Sequence, residues 1–270
     1  MMAGAARGAV GLSLLRHVVL YQETVVHQVR EESRMKLQGA QVVVIGGSSG
    51  IGLAAAKLAR QEGADVTIAG RSQEKLAQAQ HELGEVRTVV ADITNEAEVG
   101  QVFEGISRVD HVVIAAGTII NGRIVGNDLA NLRRILDERI WGVTYVVRHA
   151  APKMTQGSIT FTSGGLSSRP RVGTAMLTTA LAGVEAMTPA LALELAPVRV
   201  NAVTPGLIDT PLLYNTYGAE RDTMVKNCAT VLPGKRIGSA EEVAQAMLML
   251  MTNAYITGAV LHIDGGGRFV

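Results

Sequence analysis

Residues 41–59 read QVVVIGGSSGIGLAAAKLA, and no other stretch of the chain restricts its fold as much. The β-branched run Val42 to Ile45 makes a short buried strand. Gly46, Gly50 and Gly52 follow with the spacing G-x-x-x-G-x-G. The Ala-rich run after them carries Leu53, Ala56 and Leu58–Ala59 at helical spacing, and Gly63 stops it. A strand that ends in glycines and passes directly into a helix leaves free N–H groups at the turn, where an anion is held. One glycine makes the tight turn, one lets the backbone approach a pyrophosphate, and one lets strand and helix pack closely. The spacing departs from the general G-x-G-x-x-G fingerprint, but the physical task is the same. A dinucleotide is therefore expected here, with Gly46, Ser48, Ser49, Gly50, Ile51 and Gly52 around its phosphates.

The rest of the chain repeats the alternation. DVTIAGR, VRTVVADIT, VDHVVIAAG, GSITFTS, VRVNAVTPG and AVLHIDGG read as six more strands. Helices are predicted between them. Ser72 caps one over SQEKLAQAQHEL, and another covers NEAEVGQVFEGI. Longer ones are expected over Asp128–Met154 and over Gly173–Leu195, the latter with a kink or break at Pro189. Ser239 and Glu242 form a capping box before the last. Strands alternating with helices give βαβ units with right-handed crossovers. The expected fold is α/β: a Rossmann-type, doubly wound, seven-stranded and mostly parallel sheet with helices on both faces, in a single domain.

Composition narrows the function. Hydrophobic residues make up 47% of the chain and aromatics 3%, so the core is aliphatic. A net charge of +1 with no long basic run argues against nucleic acid. The single Cys228 excludes an intramolecular disulfide and a four-cysteine zinc site, and no metal is expected. Apolar runs fall short of the roughly 20 residues of a membrane helix, so no membrane association is expected. Residues 1–34 differ in character, with Arg7 and Arg16 and no acid before Glu23. They read as an extension to a domain spanning 35–270. A transit peptide and an accessory helix are two readings of it, and a functional start at Met35 is the favoured third. A cytoplasmic location is expected.

The second strand ends in Ala69, Gly70 and Arg71, with no acid to bind a ribose 2′-hydroxyl. A guanidinium there takes a 2′-phosphate in a bidentate pair, and Ser72 adds a hydroxyl. NADP(H) is thus expected over NAD(H). A solvated surface arginine is the alternative.

With GGSSGIG, ADIT, IAAG, VRVNAVTPGLIDTP and YITGAVLHIDGG in place, the chain from about Met35 to Gly267 resembles the short-chain dehydrogenase/reductase family. The resemblance implies that Asp92 and Ile93 flank the adenine. It implies that Ala116 and Gly117 follow the fourth strand at the cofactor, and that Pro205, Gly206, Ile208 and Thr210 line the nicotinamide end. It also implies an Asn, a Ser and a Tyr–x–x–x–Lys pair as the catalytic set. Aligned on those motifs, Arg139 stands at the Asn, Gly164 at the Ser with Ser163 beside it, Leu177 at the Tyr and Leu181 at the Lys.

Leucine supplies neither proton nor charge, and a positioned acid is typically worth about 10²–10⁴ in rate. Arg139 is the conspicuous gain. It stabilises an oxyanion but does not act as a general acid. That suits enone or quinone reduction better than simple ketone reduction. Its alternatives are pairing with Asp137 or Glu138, or reaching solvent. Ser163, Thr178 and Thr179 show no adjacent base in sequence and read as local hydrogen-bonders, with Ser163 kept as a second candidate catalytic residue. Arg169 and Arg171 read as solvated loop residues that an anionic substrate would meet, and His111 reads as structural. Two functions follow: an NADP-dependent oxidoreductase with a nonstandard centre, acting on a small-molecule substrate, or an inactive NADP(H)-binding sensor or structural subunit. By analogy with the family, a homo-oligomer, tetramer or dimer, is expected.

Overall fold

The computed structural model describes residues 36–270; the extension over 1–34 and the start at Met35 lie outside the described residues. Seven parallel strands form the sheet: β1 (Gln41–Ile45), β2 (Asp65–Gly70), β3 (Arg87–Val90), β4 (His111–Ile114), β5 (Ser158–Thr162), β6 (Arg199–Pro205) and, after the short β7 (Ile208–Asp209) and β8 (Gly238–Ser239), β9 (Val260–Ile263). Their order is β3-β2-β1-β4-β5-β6-β9, and β7 and β8 pair separately as a parallel ribbon. The central strands are short and buried because both faces of the sheet are covered there, while the edge strands β3 and β9 hold no buried residue. Val42 to Ile45 are all 4% exposed or less.

Helices α1 (Gly50–Gln61), α2 (Gln73–Leu83) and α9 (Ala240–Thr252) cover one face. α3 (Glu96–Phe103), α5 (Gly142–Ala150) and α6 (Ala175–Glu194) cover the other, with α4 (Leu129–Leu136) running into α5. Small side chains let α1 lie close, and Ala55, Ala56 and Ala59 are buried against the sheet. The expected caps form. Ser72 accepts from the Lys75 N–H, and Ser239 and Glu242 make a reciprocal box at the start of α9.

Three local expectations need correction. The helix over Asp128–Met154 is not uniform, because residues Asp137–Trp141 form a π-helical turn between α4 and α5. α6 runs through Pro189 without a break. Val184 before the proline and Leu191 after it both pack on the core, and this packing holds the helix across the lost N–H. α6 is also long and apolar enough, by length and composition, to cross a membrane. Here it lies along the sheet, with Leu177, Leu181 and Val184 turned inward and Leu193 on its outer side. Helices α7 (Pro211–Tyr217) and α8 (Arg221–Val231) were not foreseen; α8 has no buried residue and a weak apolar pattern.

Candidate active site

Connections leave β1 and β4 in opposite directions, which opens a crevice at their carboxyl ends. Glycines make its floor. Gly46 has φ +84°, and a Cβ there would lie 2.6 Å from the Ala116 nitrogen, so the first loop rests directly on the loop after β4. A Cβ on Gly52 would come within 2.2 Å of the Gly46 carbonyl oxygen. Ser49 has extended N-cap geometry but its side chain makes no capping bond, and no acid occupies the first turn of α1. Gly50 faces Thr210 across the crevice, at 3.4 Å from a built Cβ. The first loop thus forms a backbone cradle at a helix N-terminus, with hydroxyls beside it and no negative charge.

One end of the crevice is charged. Ser48 Oγ sits beside Gly70, 3.0 Å from a built Cβ. The half-exposed Arg71 lies 3.7 Å from Glu138. Ser72 points its oxygen back to its own helix, at 3.3 Å from the Lys75 nitrogen. Asp92 accepts from the Thr94 N–H (3.0 Å), the Thr94 hydroxyl (2.8 Å) and Arg134 (3.4 Å). Partial burial works against its charge, but those hydrogen bonds and the nearby arginines hold its carboxyl below the usual range. Ile93 is buried, its side chain packed at Gly142 and not open to the crevice.

The π turn supplies both ends of the site. A π turn holds an extra residue, and such turns are common at functional positions. It turns two consecutive side chains inward, Glu138 (3% exposed) and Arg139 (8%). Glu138 accepts from the Thr118 N–H (2.8 Å), the Thr118 hydroxyl (2.7 Å) and Arg134 Nε (3.0 Å). Arg139 lies over Gly117, where a Cβ would meet its guanidinium carbon at 2.4 Å. It donates to the carbonyls of Thr162 (3.1 Å) and Thr118 (3.5 Å), and its Nε has no partner. It neither bonds a carboxylate directly nor reaches solvent. Burial lowers its pKa, while Glu138 acts in the opposite sense.

Beyond Arg139 lies a cavity of about 570 Å³ with mainly apolar walls. Ile51, Leu177, Leu181, Pro205 and Ile208 line its inner part, and Gly206 is pressed against Asp264, 2.8 Å from a built Cβ to that Cα. Leu166, Tyr217, Met224 and Leu232 line the outer part, brought by α7, α8 and the loop after β5. The half-buried Cys228 also faces it. Arg169 and Arg171 are exposed at its edge, with Arg169 bonded to the Gly267 carbonyl. Thr178 and Thr179 bond the carbonyls of Leu166 and Ala175, as local hydrogen-bonders do.

Ser163 is the exception to that reading. It lines the cavity, is 5% exposed, and its Oγ lies 2.7 Å from a carboxylate oxygen of Glu185. That same oxygen accepts from Thr204 at 3.2 Å. The acid lies 22 residues from Ser163 in sequence, but it follows Leu181 by four and so shares its helix face. That spacing was the available signal. Glu138 and Thr118 had none, since a π turn leaves no mark in the hydrophobic period.

The family model described as enoyl-(acyl carrier protein) reductase matches residues 45–267. The chain is a short-chain dehydrogenase/reductase. It is similar to short-chain dehydrogenase/reductase ucsE of Acremonium sp, with 30% identity over 86% of this chain and 96% of the relative. It is 32% identical to carbonyl reductase family member 4 of Xenopus tropicalis, over 83% of this chain and 95% of that protein. A solved small-chain dehydrogenase in complex with NADPH superposes with a TM-score of 0.75 at 34% identity, covering 86% of this chain and all (100%) of the other. This dehydrogenase/reductase therefore shares its family's nicotinamide-cofactor binding and oxidoreductase class.

Proposed function

We propose that this protein is an NADP(H)-dependent reductase of an activated carbonyl, enone or quinone, working at a centre that lacks the family's usual catalytic set. Arg139, Gly164, Leu177 and Leu181 stand at the four positions of that set. The observation that carries the reading is Arg139: a buried guanidinium with an unpartnered Nε, beside a largely apolar cavity. In low dielectric such a cation stabilises a developing oxyanion strongly. A delocalised enolate or quinol anion then takes its proton from water.

The first loop fits a dinucleotide, because its glycines leave room that a Cβ would fill and the N-terminus of α1 carries no acid. Gly46, Ser48, Ser49, Gly50, Ile51 and Gly52 would hold the pyrophosphate, Asp92 and the Ile93 backbone the adenine. Ala116, Gly117, Pro205, Gly206, Ile208 and Thr210 would surround the nicotinamide. When bound, the cofactor supplies or takes a hydride. Arg71 would turn from Glu138 to a 2′-phosphate, and Ser72 would offer its hydroxyl hydrogen. The solved relative with NADPH supports this preference.

The test combines titration with stopped-flow absorbance at 340 nm. NADPH should bind more tightly than NADH, and Arg71→Ala should weaken NADPH alone, by roughly 10–100-fold for a charge-assisted contact. Arg139→Ala should slow reduction of a quinone such as menadione by roughly 10²–10³. Binding of NADPH without reduction of any quinone or enone would instead mark an inactive binding protein.

A further inference from the structure

Ser163 and Glu185 form a hydrogen-bonded couple that the reading above leaves idle. Ser163 is buried, borders the cavity, and follows Thr162, whose carbonyl anchors Arg139. Its Oγ can donate to Glu185 at 2.7 Å and lies 3.3 Å from the Leu181 carbonyl. Thr204, fully buried on β6, donates to the same carboxylate oxygen. Two hydroxyl donors on one oxygen fix the ionised carboxylate, and in that state the lone pairs of Ser163 face what the cavity holds. When the Glu185 carboxyl carries a proton it donates to Ser163 Oγ instead, and the Ser163 hydrogen is free to turn to the cavity. Glu185 itself is only part-buried and keeps access to water.

We propose that Ser163 is the proton-transfer group of this active site, with Glu185 as the positioning residue that supplies and takes back its proton. The inference rests on the reductase reading and extends it to unactivated ketones, whose alkoxide product needs a proton at once. As the carbonyl carbon gains a hydride from the nicotinamide cofactor, a C–H bond forms and the C=O π pair moves to oxygen beside Arg139. That oxygen takes the Ser163 hydroxyl proton, and Ser163 takes the proton of the Glu185 carboxyl. The resulting carboxylate is reprotonated from water. The ketone gains one hydride and one proton, and the cofactor is oxidised. Oxidation of the alcohol runs the same path backwards, starting from the carboxylate. The couple thus occupies a different place from the Leu177 and Leu181 positions and uses different atoms.

The experiment compares cyclohexanone with menadione, each with NADPH, in wild type, Glu185→Gln, Glu185→Asp and Ser163→Ala. The wild type is expected to reduce both. The ratio of ketone to quinone rate should fall by roughly 10²–10⁴ in Glu185→Gln and Ser163→Ala, and recover in part in Glu185→Asp. The solvent isotope effect on ketone reduction should vanish in the first two. Using the ratio cancels any loss of folded protein. Independently of turnover, the infrared carboxylate band of ¹³C-Glu-labelled, cofactor-free protein should shift on Ser163→Ala. Quinone reduction without ketone reduction would overturn the couple and leave the reductase reading standing. An unmoved band, or a ratio untouched by Glu185→Gln, would overturn it as well. Reduction of neither compound would overturn both.

Discussion

The two ends of the parallel sheet treat polar atoms in opposite ways. At the amino ends they are closed off. His111 Nδ1 pairs with Ser158 Oγ at 2.9 Å, and Asp110 accepts from the Gln41 N–H at 2.8 Å and from Arg108 at 3.1 Å. Arg199 donates to the carbonyls of Leu250 (2.6 Å) and Met251 (2.8 Å), neutralising the last turn of α9. At the carboxyl ends, Arg139 Nε and Thr162 Oγ1 line the cavity and are buried without partners. His149 Nε2, Thr160 Oγ1, Ser167 Oγ and His262 Nδ1 are unpartnered away from its walls. Buried polar groups are normally satisfied, so the unpaired ones beside the cavity mark hydrogen-bonding capacity held for a ligand. One end holds the fold together; the other keeps interactions in reserve.

Substitutions of like size should separate the two ends sharply. Gly157→Ala, at the closed end, should have the largest effect. Gly157 has φ +99°, and a Cβ would lie 1.8 Å from the Asp110 carbonyl oxygen. Backbone strain and overpacking each cost roughly 1–3 kcal/mol, so chemical denaturation should show a loss of about 4 kcal/mol. A loss under 1 kcal/mol would mean that this end is not rigid.

The next effect is electrostatic. Burial first, and then the charge of Arg199, push the His111 pKa down to about 4 from 6.5, with Asp110 acting in the opposite sense. The folded state thus prefers neutral histidine. Its contribution is fully present above pH 6.5 and is lost as pH falls towards 4, because the unfolded chain takes up the proton first. The loss is about 3 kcal/mol. Urea unfolding at several pH values should show a stability that falls across this window, and the fall should be that much smaller in His111→Gln. Parallel pH profiles in the two proteins would show that the closed end is wetter than it looks.

At the open end, Gly164→Ala should do least. Its φ is −179°, an extended conformation open to any residue, and a Cβ would meet Leu181 at an ordinary 3.5 Å. A change in stability within about 0.5 kcal/mol is expected by thermal unfolding. A larger loss would show that the cavity wall is packed as tightly as the core.

What was legible in the sequence follows from range. The strands, the glycine cradle and the caps at Ser72 and Ser239 depend on residues within a few positions of one another, and their signals are local. The doubly wound parallel sheet followed because βαβ connections have one favoured hand, whereas the order of its seven strands came only with the structure. The reaction end depends on meetings across the chain. Glu185 reaches Ser163 only because β5, β6 and α6 pack together, and Glu138 reaches Thr118 only through the π turn. Pro189 read as a kink or a break because propensity speaks before packing does, and the helix is unbroken there. Packing on both sides of it overrode the rule.

The adjacency of β1 and β4 also bears on how the protein comes into being. Gln41 and Asp110, bonded across that junction, are separated by 69 positions in sequence, and no strand of the main sheet is joined to its neighbour by a tight hairpin. Every pairing must close a long loop before it gains any stabilisation, which makes such sheets slow to assemble. The crevice does not exist until the middle of the sheet does. While the chain is being synthesised, the first glycine loop emerges well before the segment that completes its floor. Capacity to bind a dinucleotide should therefore arise late and all at once, as a property of the finished sheet and not of its first βα unit.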